Sequence, residues 1–177
     1  LDVLRIEYDI YQEYLNQRAF YQAWKSHPYI HIPYPLNVQA DVLYMERYDW
    51  PMWIHATNLH LDHVWLLCDF FIESTQNFHM VYGDISPYNI LVSPDQPAQI
   101  CIVDYGNCIL NIPPEQRCNY HLKNPQTQFQ ARMCDLWNKM SKGDYRWNDI
   151  RIVWEEPADW YVVINSPPAG VKVDPKK

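Results

Sequence analysis

The strongest constraint on the fold is a stretch near the middle of the chain. Two short apolar runs, Ile90–Val92 and Ile100–Val103, flank a polar segment with two prolines. Apolar runs separated by a turn of several residues predict a β-hairpin. Asp84 precedes the first run and Asp104 follows the second, and a hairpin brings those two ends together. We therefore expect Asp84, Asn89 and Asp104 to converge at one end of the hairpin.

Two carboxylates and an amide oxygen in one place suit a hard cation such as Mg²⁺ and the phosphate groups that it binds. The alternative interpretation is a plain hairpin that happens to have polar ends.

The same residues resemble the catalytic loop and magnesium loop of the protein-kinase-like fold, whose pattern is H-R-D-x-x-x-x-N followed by D-F-G. Asp84 matches the catalytic-base aspartate, and Asn89 matches the metal-binding asparagine. The segment Asp104-Tyr105-Gly106 matches D-F-G with tyrosine in place of phenylalanine. The form Gly83-Asp84 is similar to the atypical kinase and aminoglycoside-phosphotransferase branch, although Tyr82 stands where a histidine is expected.

The resemblance implies an α+β, protein-kinase-like fold that is mostly carboxyl lobe with a reduced amino lobe. It implies ATP and Mg²⁺ as cofactors, with Asn89 and Asp104 as metal ligands. Asp84 would be the base that accepts the proton of a hydroxyl on a small molecule or a protein.

An amphipathic helix is predicted from about Asp2 to Lys25, because apolar and aromatic residues recur at three- to five-residue steps. The helix should end before Pro28, which disfavours helical geometry at the preceding residue. By resemblance to the kinase C-helix, Glu7 is the candidate for the glutamate that faces the nucleotide. The alternative is that Glu7 is a solvated helix residue.

Two strands are predicted over Ile30–Leu36 and Val42–Arg47, joined through residues 37–41. Pro33 and Pro35 make the first of them an edge strand or an irregular piece. The second resembles the last amino-lobe strand and the hinge of kinases, where backbone groups bind adenine. Met45, Glu46 and Tyr48 are therefore implied to lie near the nucleotide, although a buried strand with a polar exit predicts the same local structure.

A second helix is predicted over residues 57–76, with Thr57 or Asn58 as its N-cap. His60 and His63 on this helix could form a metal pair, but a solvated helix face is the better interpretation. Residues 107–125 are predicted as a loop and residues 126–142 as a helix. We assign residues 1–48 to the reduced amino lobe, 49–165 to the carboxyl lobe and 166–177 to a flexible tail.

The net charge of −7 argues against a nucleic acid or an anionic membrane as the main partner. The five cysteines form no CxxC pair, which indicates reduced thiols and a cytoplasmic location. Cys101 lies within an apolar strand and is predicted to be in the core. Residues 145–154 are ambiguous between helix and strand, and so is the aromatic segment 158–164.

The sequence has no glycine-rich phosphate loop and no Val-Ala-Ile-Lys strand ahead of the first helix, and Lys25 is at the wrong end of that helix to substitute. Three alternative functions are consistent with these residues. In the first, the chain is a kinase-like phosphotransferase, as a fragment or a minimal form. Alternatively, it is a pseudokinase-like binding or regulatory module, or an enzyme that reuses the scaffold to act on an apolar small molecule. An unclosed amino-lobe sheet also predicts either a homodimer or a missing upstream domain.

Overall fold

A computed structural model of the chain describes residues 9–117, residue 142, and the strand residues 152–156 and 158–162. The helices are α1 (Ile10–Trp24), α2 (Leu61–Gln76) and α3 (Pro114–Arg117), with a short 3-10 helix at Trp53–His55. The strands are β1 (Ile30–His31), β2 (Pro35–Gln39), β3 (Val42–Met45), β4 (Val81–Tyr82), β5 (Ile90–Val92), β6 (Ile100–Ile102), β7 (Cys108–Ile109), β8 (Ile152–Glu156) and β9 (Ala158–Val162).

The predicted central hairpin is present as β5 and β6, which pair antiparallel with Ile90 opposite Ile102. Strand β1 joins β6 in parallel, so β6 is the middle strand of a three-stranded sheet. All three residues of β6 are buried, including Cys101 as predicted. A strand flanked on both sides and buried on both faces fits its continuous apolar sequence.

The first predicted strand is divided in two, which corrects the sequence interpretation. Residues 30–31 belong to the central sheet, whereas β2 begins only at Pro35 and pairs with β3. The turn between β2 and β3 is Ala40-Asp41 rather than residues 37–41, and both residues have positive φ values of 48° and 61°. Two consecutive left-handed residues match the twist of a tight hairpin.

Helix α1 begins after Asp9, whose Oδ1 accepts hydrogen bonds from the backbone N–H groups of Tyr11 and Gln12. The helix ends at Trp24, before Pro28 as predicted. Residues 1–8 lie outside the described part of the chain, and the predicted role of Glu7 falls on one of these residues. The buried positions of α1 are Glu13, Asn16, Gln17, Phe20 and Trp24.

Helix α2 begins at Leu61, four residues later than predicted, because His60 caps it instead of Thr57 or Asn58. The backbone N–H of His60 donates to Nδ1 of His63 over 3.0 Å. Asn58 instead donates from Nδ2 to the carbonyl of Ser93. His63 is fully buried, so the interpretation of this pair as a solvated face is wrong for His63.

Aromatic side chains join the helices to the chain segments around the central hairpin. Phe20 of α1 and Phe70 of α2 both contact Tyr82 of β4, with ring centroids 6.2 and 5.7 Å apart. Tyr105 completes this group, 5.3 Å from both Phe20 and Tyr82. Aromatic rings bury large apolar areas, so this core fixes α1 and α2 against the ends of β4 and β6.

The segment after Gly106 differs from the predicted loop. Strand β7 pairs antiparallel with β4, and α3 follows at Pro114–Arg117. The ambiguous segments contain β8 and β9, which form an antiparallel hairpin. The helix predicted over residues 126–142 falls almost entirely outside the described residues. Within the described part of the chain, no helix is long and apolar enough to cross a membrane.

Candidate functional site

Asp84, Asn89 and Asp104 lie together at one end of the hairpin, and we call them the carboxylate–amide cluster. The side-chain Nδ2 of Asn89 donates to Oδ2 of Asp84 over 2.9 Å and to the carbonyl of Asp84 over 3.1 Å. The carbonyl of Asn89 accepts a hydrogen bond from the backbone of Val103, which precedes Asp104. The predicted convergence of the three residues is therefore present in the structure.

Asp104 occupies a left-handed backbone conformation, with φ of 69°. Its Oδ1 accepts a hydrogen bond from the backbone N–H of Gly106 over 3.3 Å, and its side chain is exposed. Aspartate tolerates this conformation better than most residues because its carboxylate bonds to nearby backbone groups. Uncommon backbone conformations of this kind cluster at binding and catalytic sites.

The carboxyl group of Asp84 has a raised pKa. Burial is the main cause, the charge of Asp104 adds to it, and the hydrogen bond from Asn89 opposes it. A carboxylate whose charged form is disfavoured by its surroundings is a stronger proton acceptor than an exposed one. Asp84 is thus suited to act as a base, with its carboxylate oriented by Asn89.

The backbone around the cluster is held by Tyr82 and Gly83. Tyr82 is fully buried, and its hydroxyl donates to the carbonyl of Val103. The N–H of Gly83 donates to the carbonyl of Asn107 over 2.7 Å, and a Cβ at Gly83 would lie only 2.6 Å from that oxygen. Tyr82, at the position where the family pattern has histidine, therefore connects β4 to the residue before Asp104.

Glu13 is a site residue that the sequence analysis missed. It is only 8% exposed. Burial and the charge of Asp104 raise its pKa, and a hydrogen bond with the backbone of Tyr105 partly opposes them. One turn further along α1, Asn16 donates to the carbonyl of Tyr105 over 2.9 Å. Among the described residues of α1, Glu13 is the glutamate that lies near the charge of Asp104.

A spacing signal could have identified Glu13. It lies seven residues before Phe20 and eleven before Trp24, which are spacings that share one face of a helix. Because other buried positions on this face also carry polar side chains, a search for apolar periodicity does not detect the face.

The predicted nucleotide-binding residues of the hinge make contacts of their own. The backbone N–H of Glu46 donates to the carbonyl of Tyr34 over 2.9 Å, and its Oε1 accepts from the N–H of Tyr34. Met45 accepts from Nε2 of Gln17 through its sulfur. Glu46 and Tyr48 line a cavity of about 170 Å³ whose other lining residues are 21, 24 and 25, at the C-terminal end of α1, and residues 30–32. The structure thus groups Glu46 and Tyr48 with each other and not with the cluster.

The cluster fits a hard cation better than His60 and His63 do. Nδ1 of His63 already accepts a backbone hydrogen bond. Asn89 uses Nδ2 toward Asp84, which leaves its Oδ1 for a cation. Across the described residues, no group of three or more His, Cys, Asp and Glu side chains has the spacing of a metal site. Two carboxylates and one amide oxygen are enough for Mg²⁺, which keeps water and substrate phosphates as its remaining ligands.

Comparison with known proteins gave matches to structures but none to sequences. No protein-family model and no curated protein matches the chain. The structure of an Rv3197–erythromycin complex from Mycobacterium tuberculosis matches with a TM-score of 0.53 and 21% identity, over 84% of this chain and 36% of that one. The Rio2 kinase from Chaetomium thermophilum matches with a TM-score of 0.50 and 16% identity, over 76% of this chain and 44% of that one.

This chain therefore spans less than half the length of either structure that it matches. The fold expected from the Asp84–Gly106 motifs is confirmed by this likeness. The chain has an α+β fold of the protein-kinase-like type, in a reduced form.

Proposed function

We propose that this chain is a kinase-like phosphotransferase that moves the γ-phosphoryl group of ATP to a hydroxyl acceptor. One observation carries the proposal: the charge of Asp104 acts on both Asp84 and Glu13, and no described lysine or arginine forms an ion pair with any of the three. Burial is the main cause of the raised pKa of both Asp84 and Glu13, and the charge of Asp104 adds to it. Among the described residues, the arginine–carboxylate ion pair is Arg47–Asp49, and it does not involve the cluster. Negative charge concentrated in this way is stabilised when a divalent cation binds beside it.

Oδ1 of Asn89 and the carboxylate of Asp104 are the groups that would hold Mg²⁺. When bound, the cation would neutralise charge on the phosphate oxygens of the nucleotide. Asp104 is suited to this role because it is exposed and because its position is fixed by the bond from Gly106.

Asp84 would accept the proton of the acceptor hydroxyl. Its partly buried carboxylate has a raised pKa. Because Asn89 donates a hydrogen bond to one carboxylate oxygen, the orientation of the second oxygen is fixed as well. Proton transfer to a base positioned in this way contributes about 10²- to 10⁴-fold to a reaction rate.

Among the described residues, no basic side chain forms an ion pair with the cluster. Lys25 bonds to Gln22, Arg47 bonds to Asp49, and Arg18 lies over the ring of Tyr14. Charge neutralisation at the phosphates would therefore depend on the metal ion to an unusual degree. We infer that nucleotide binding by this chain requires a divalent cation.

Thermal unfolding with ATP, with and without Mg²⁺, tests this proposal. The unfolding temperature should rise with ATP and Mg²⁺ together, and this rise should disappear in Asp104→Asn. Asp95→Asn is the matched control, because Asp95 is an exposed acid in the turn between β5 and β6. The absence of any rise at millimolar ATP and Mg²⁺ would contradict the proposal.

A second candidate function is binding of an apolar small molecule without phosphoryl transfer. It is favoured by one observation, that the matching structure of Rv3197 is a complex with erythromycin. Erythromycin should then raise the unfolding temperature with no nucleotide present, and to the same degree in Asp104→Asn. If Mg²⁺–ATP binds but no phosphate is transferred to any acceptor, the chain is a pseudokinase-like binding module instead.

A further inference from the structure

A cavity of about 490 Å³ lies between the C-terminal end of α1 and the middle of α2. Its walls include the rings of Trp24, His27 and Phe78 and the carboxylates of Asp69 and Glu73. This volume falls in the range of about 300–1,000 Å³ that is usual for small-molecule sites. The lining combines apolar rings with negative charge.

The cavity is separate from the carboxylate–amide cluster. Glu13, which lies beside Asp104, is eleven positions from Trp24 on α1. At 1.5 Å per residue, that spacing corresponds to about 16 Å along the helix axis. None of the three cluster residues lines this cavity.

The rings form walls at steep angles to one another. The ring of Phe78 stands at 73° to Trp24 and that of His27 at 62°, each with its centroid 5.5 Å from that of Trp24. Nε1 of Trp24 donates to the buried hydroxyl of Ser74 over 3.0 Å, which fixes the indole in place. Phe78 is 39% exposed although it is strongly apolar. Aromatic rings set at angles around one space are the arrangement that recognises organic cations.

The two carboxylates carry charge that the described residues do not compensate. Asp69 and Glu73 are one turn apart on α2, and within residues 9–117 neither forms an ion pair. Glu73 accepts a hydrogen bond from Asn77. Burial and the charge of Glu73 raise the pKa of Asp69. Like charges at this spacing destabilise a helix, so the pair costs stability in the absence of a cation.

His27 does not supply the missing positive charge. Its Nδ1 accepts hydrogen bonds from the backbone N–H groups of Tyr29 and Ile30 over 3.1 and 3.0 Å, which requires an unprotonated nitrogen. Burial, with a smaller effect of His31, also lowers the pKa of His27. The imidazole is therefore a neutral wall of the cavity and does not balance the two carboxylates.

We propose that this cavity binds a small organic ammonium ion, with Asp69 and Glu73 supplying opposite charge and the exposed ring of Phe78 supplying a cation–π contact. The charge complementarity and the ring walls select a cation that carries apolar groups, in preference to an inorganic ion. A cation held by a ring face and two carboxylates at a partly exposed site binds weakly, so a single ammonium group should bind in the millimolar range. The site is independent of phosphoryl transfer, because it shares no residue with the cluster.

Choline is a suitable probe, and 3,3-dimethylbutan-1-ol is its neutral isostere. Binding measured by NMR titration of the full chain should be at least about tenfold tighter for choline than for the alcohol, equivalent to ~1.4 kcal/mol. Asp69→Asn combined with Glu73→Gln should weaken choline binding by a similar factor, and Phe78→Leu should also weaken it. Asp62→Asn, an exposed acid on the same helix, should have no effect.

The double variant also provides a check that does not depend on ligand. Removing two like charges should leave the unfolding temperature of the ligand-free protein unchanged or higher, so weak choline binding could not be attributed to misfolding. Equal affinity for choline and the alcohol, or unchanged choline affinity in the double variant, would overturn the proposal. Tighter binding of a lysine-containing peptide than of choline would overturn the small-molecule assignment in favour of a protein partner.

Discussion

The chemistry proposed here depends most on Asp84. Its carboxylate is half-buried, faces the charge of Asp104 and accepts a hydrogen bond from Asn89. Asp84→Asn keeps the shape of the side chain but removes its capacity to accept a proton. We expect phosphoryl transfer to fall by about 10²- to 10⁴-fold, whereas stabilisation by Mg²⁺ and ATP persists. A transfer assay and a thermal-shift assay on the same sample measure both, and unchanged transfer would exclude Asp84 as the base.

Gly83 is required by close packing rather than by an unusual backbone angle. An added Cβ would lie 2.6 Å from the carbonyl of Asn107 and 3.0 Å from its side chain. Because the first of these atoms belongs to the backbone, it cannot move away as a flexible side chain could. Gly83→Ala should lower the free energy of unfolding by about 1–3 kcal/mol, as measured by urea denaturation. A variant as stable as the parent would contradict the close packing of β4 against residue 107.

At the scale of single elements, α2 contains a cap that depends on pH. Nδ1 of His63 accepts the backbone N–H of His60 only when it is unprotonated. Burial is the main cause of the lowered pKa of His63. In the unfolded chain, the imidazole of His63 takes up a proton as the pH falls below about 6.5. In the folded chain, the same imidazole takes up its proton only at a lower pH. Stability contributed by neutral His63 is therefore complete above that pH and is lost as the pH falls toward the folded pKa.

His63→Gln tests this cap, because glutamine at the same position can still accept the backbone bond but does not titrate. The loss of unfolding free energy below about pH 6.5 should be smaller in this variant than in the parent. His55→Gln is the control, since His55 is an exposed histidine nearby. Identical pH profiles for the parent and His63→Gln would exclude the cap as the source.

The central hairpin and the two long helices could be predicted because their apolar residues follow the period of each element. The N-cap of α2 could not, because histidine replaces the usual Ser, Thr, Asp or Asn. The buried face of α1 was missed for a related reason. Glu13, Asn16 and Gln17 are polar yet buried, since Asn16 and Gln17 donate to the carbonyls of Tyr105 and Pro33.

Pro33 and Pro35 were a local signal for an interruption of the first predicted strand, but they did not show that its two parts join different sheets. Ile30 and Leu36 are both apolar, but only Ile30 is buried, because β1 pairs with β6, far along the chain. Long-range pairing of this kind is decided by the tertiary structure rather than by propensity. By contrast, the motif residues 84, 89 and 104 could be brought together from the sequence alone, because a hairpin fixes their proximity.

For the whole molecule, α1 links the two proposed sites, with Glu13 near the cluster and Trp24 at the cavity. The β2–β3 hairpin leaves Leu36, Val42 and Tyr44 about half exposed. We predict that a second copy of the chain or a further domain covers this hairpin. The solution mass measured by sedimentation tests the dimer.

The central claim is that the carboxylate–amide cluster binds a divalent cation together with a nucleotide. Electron paramagnetic resonance of Mn²⁺ in the presence of ATP tests it most directly, because this signal changes on binding and requires no turnover. We predict that the intact chain binds Mn²⁺–ATP and that Asp104→Asn weakens the binding by at least about tenfold, or ~1.4 kcal/mol, with Asp95→Asn unchanged. Equal Mn²⁺–ATP affinity in the parent and Asp104→Asn would contradict the claim.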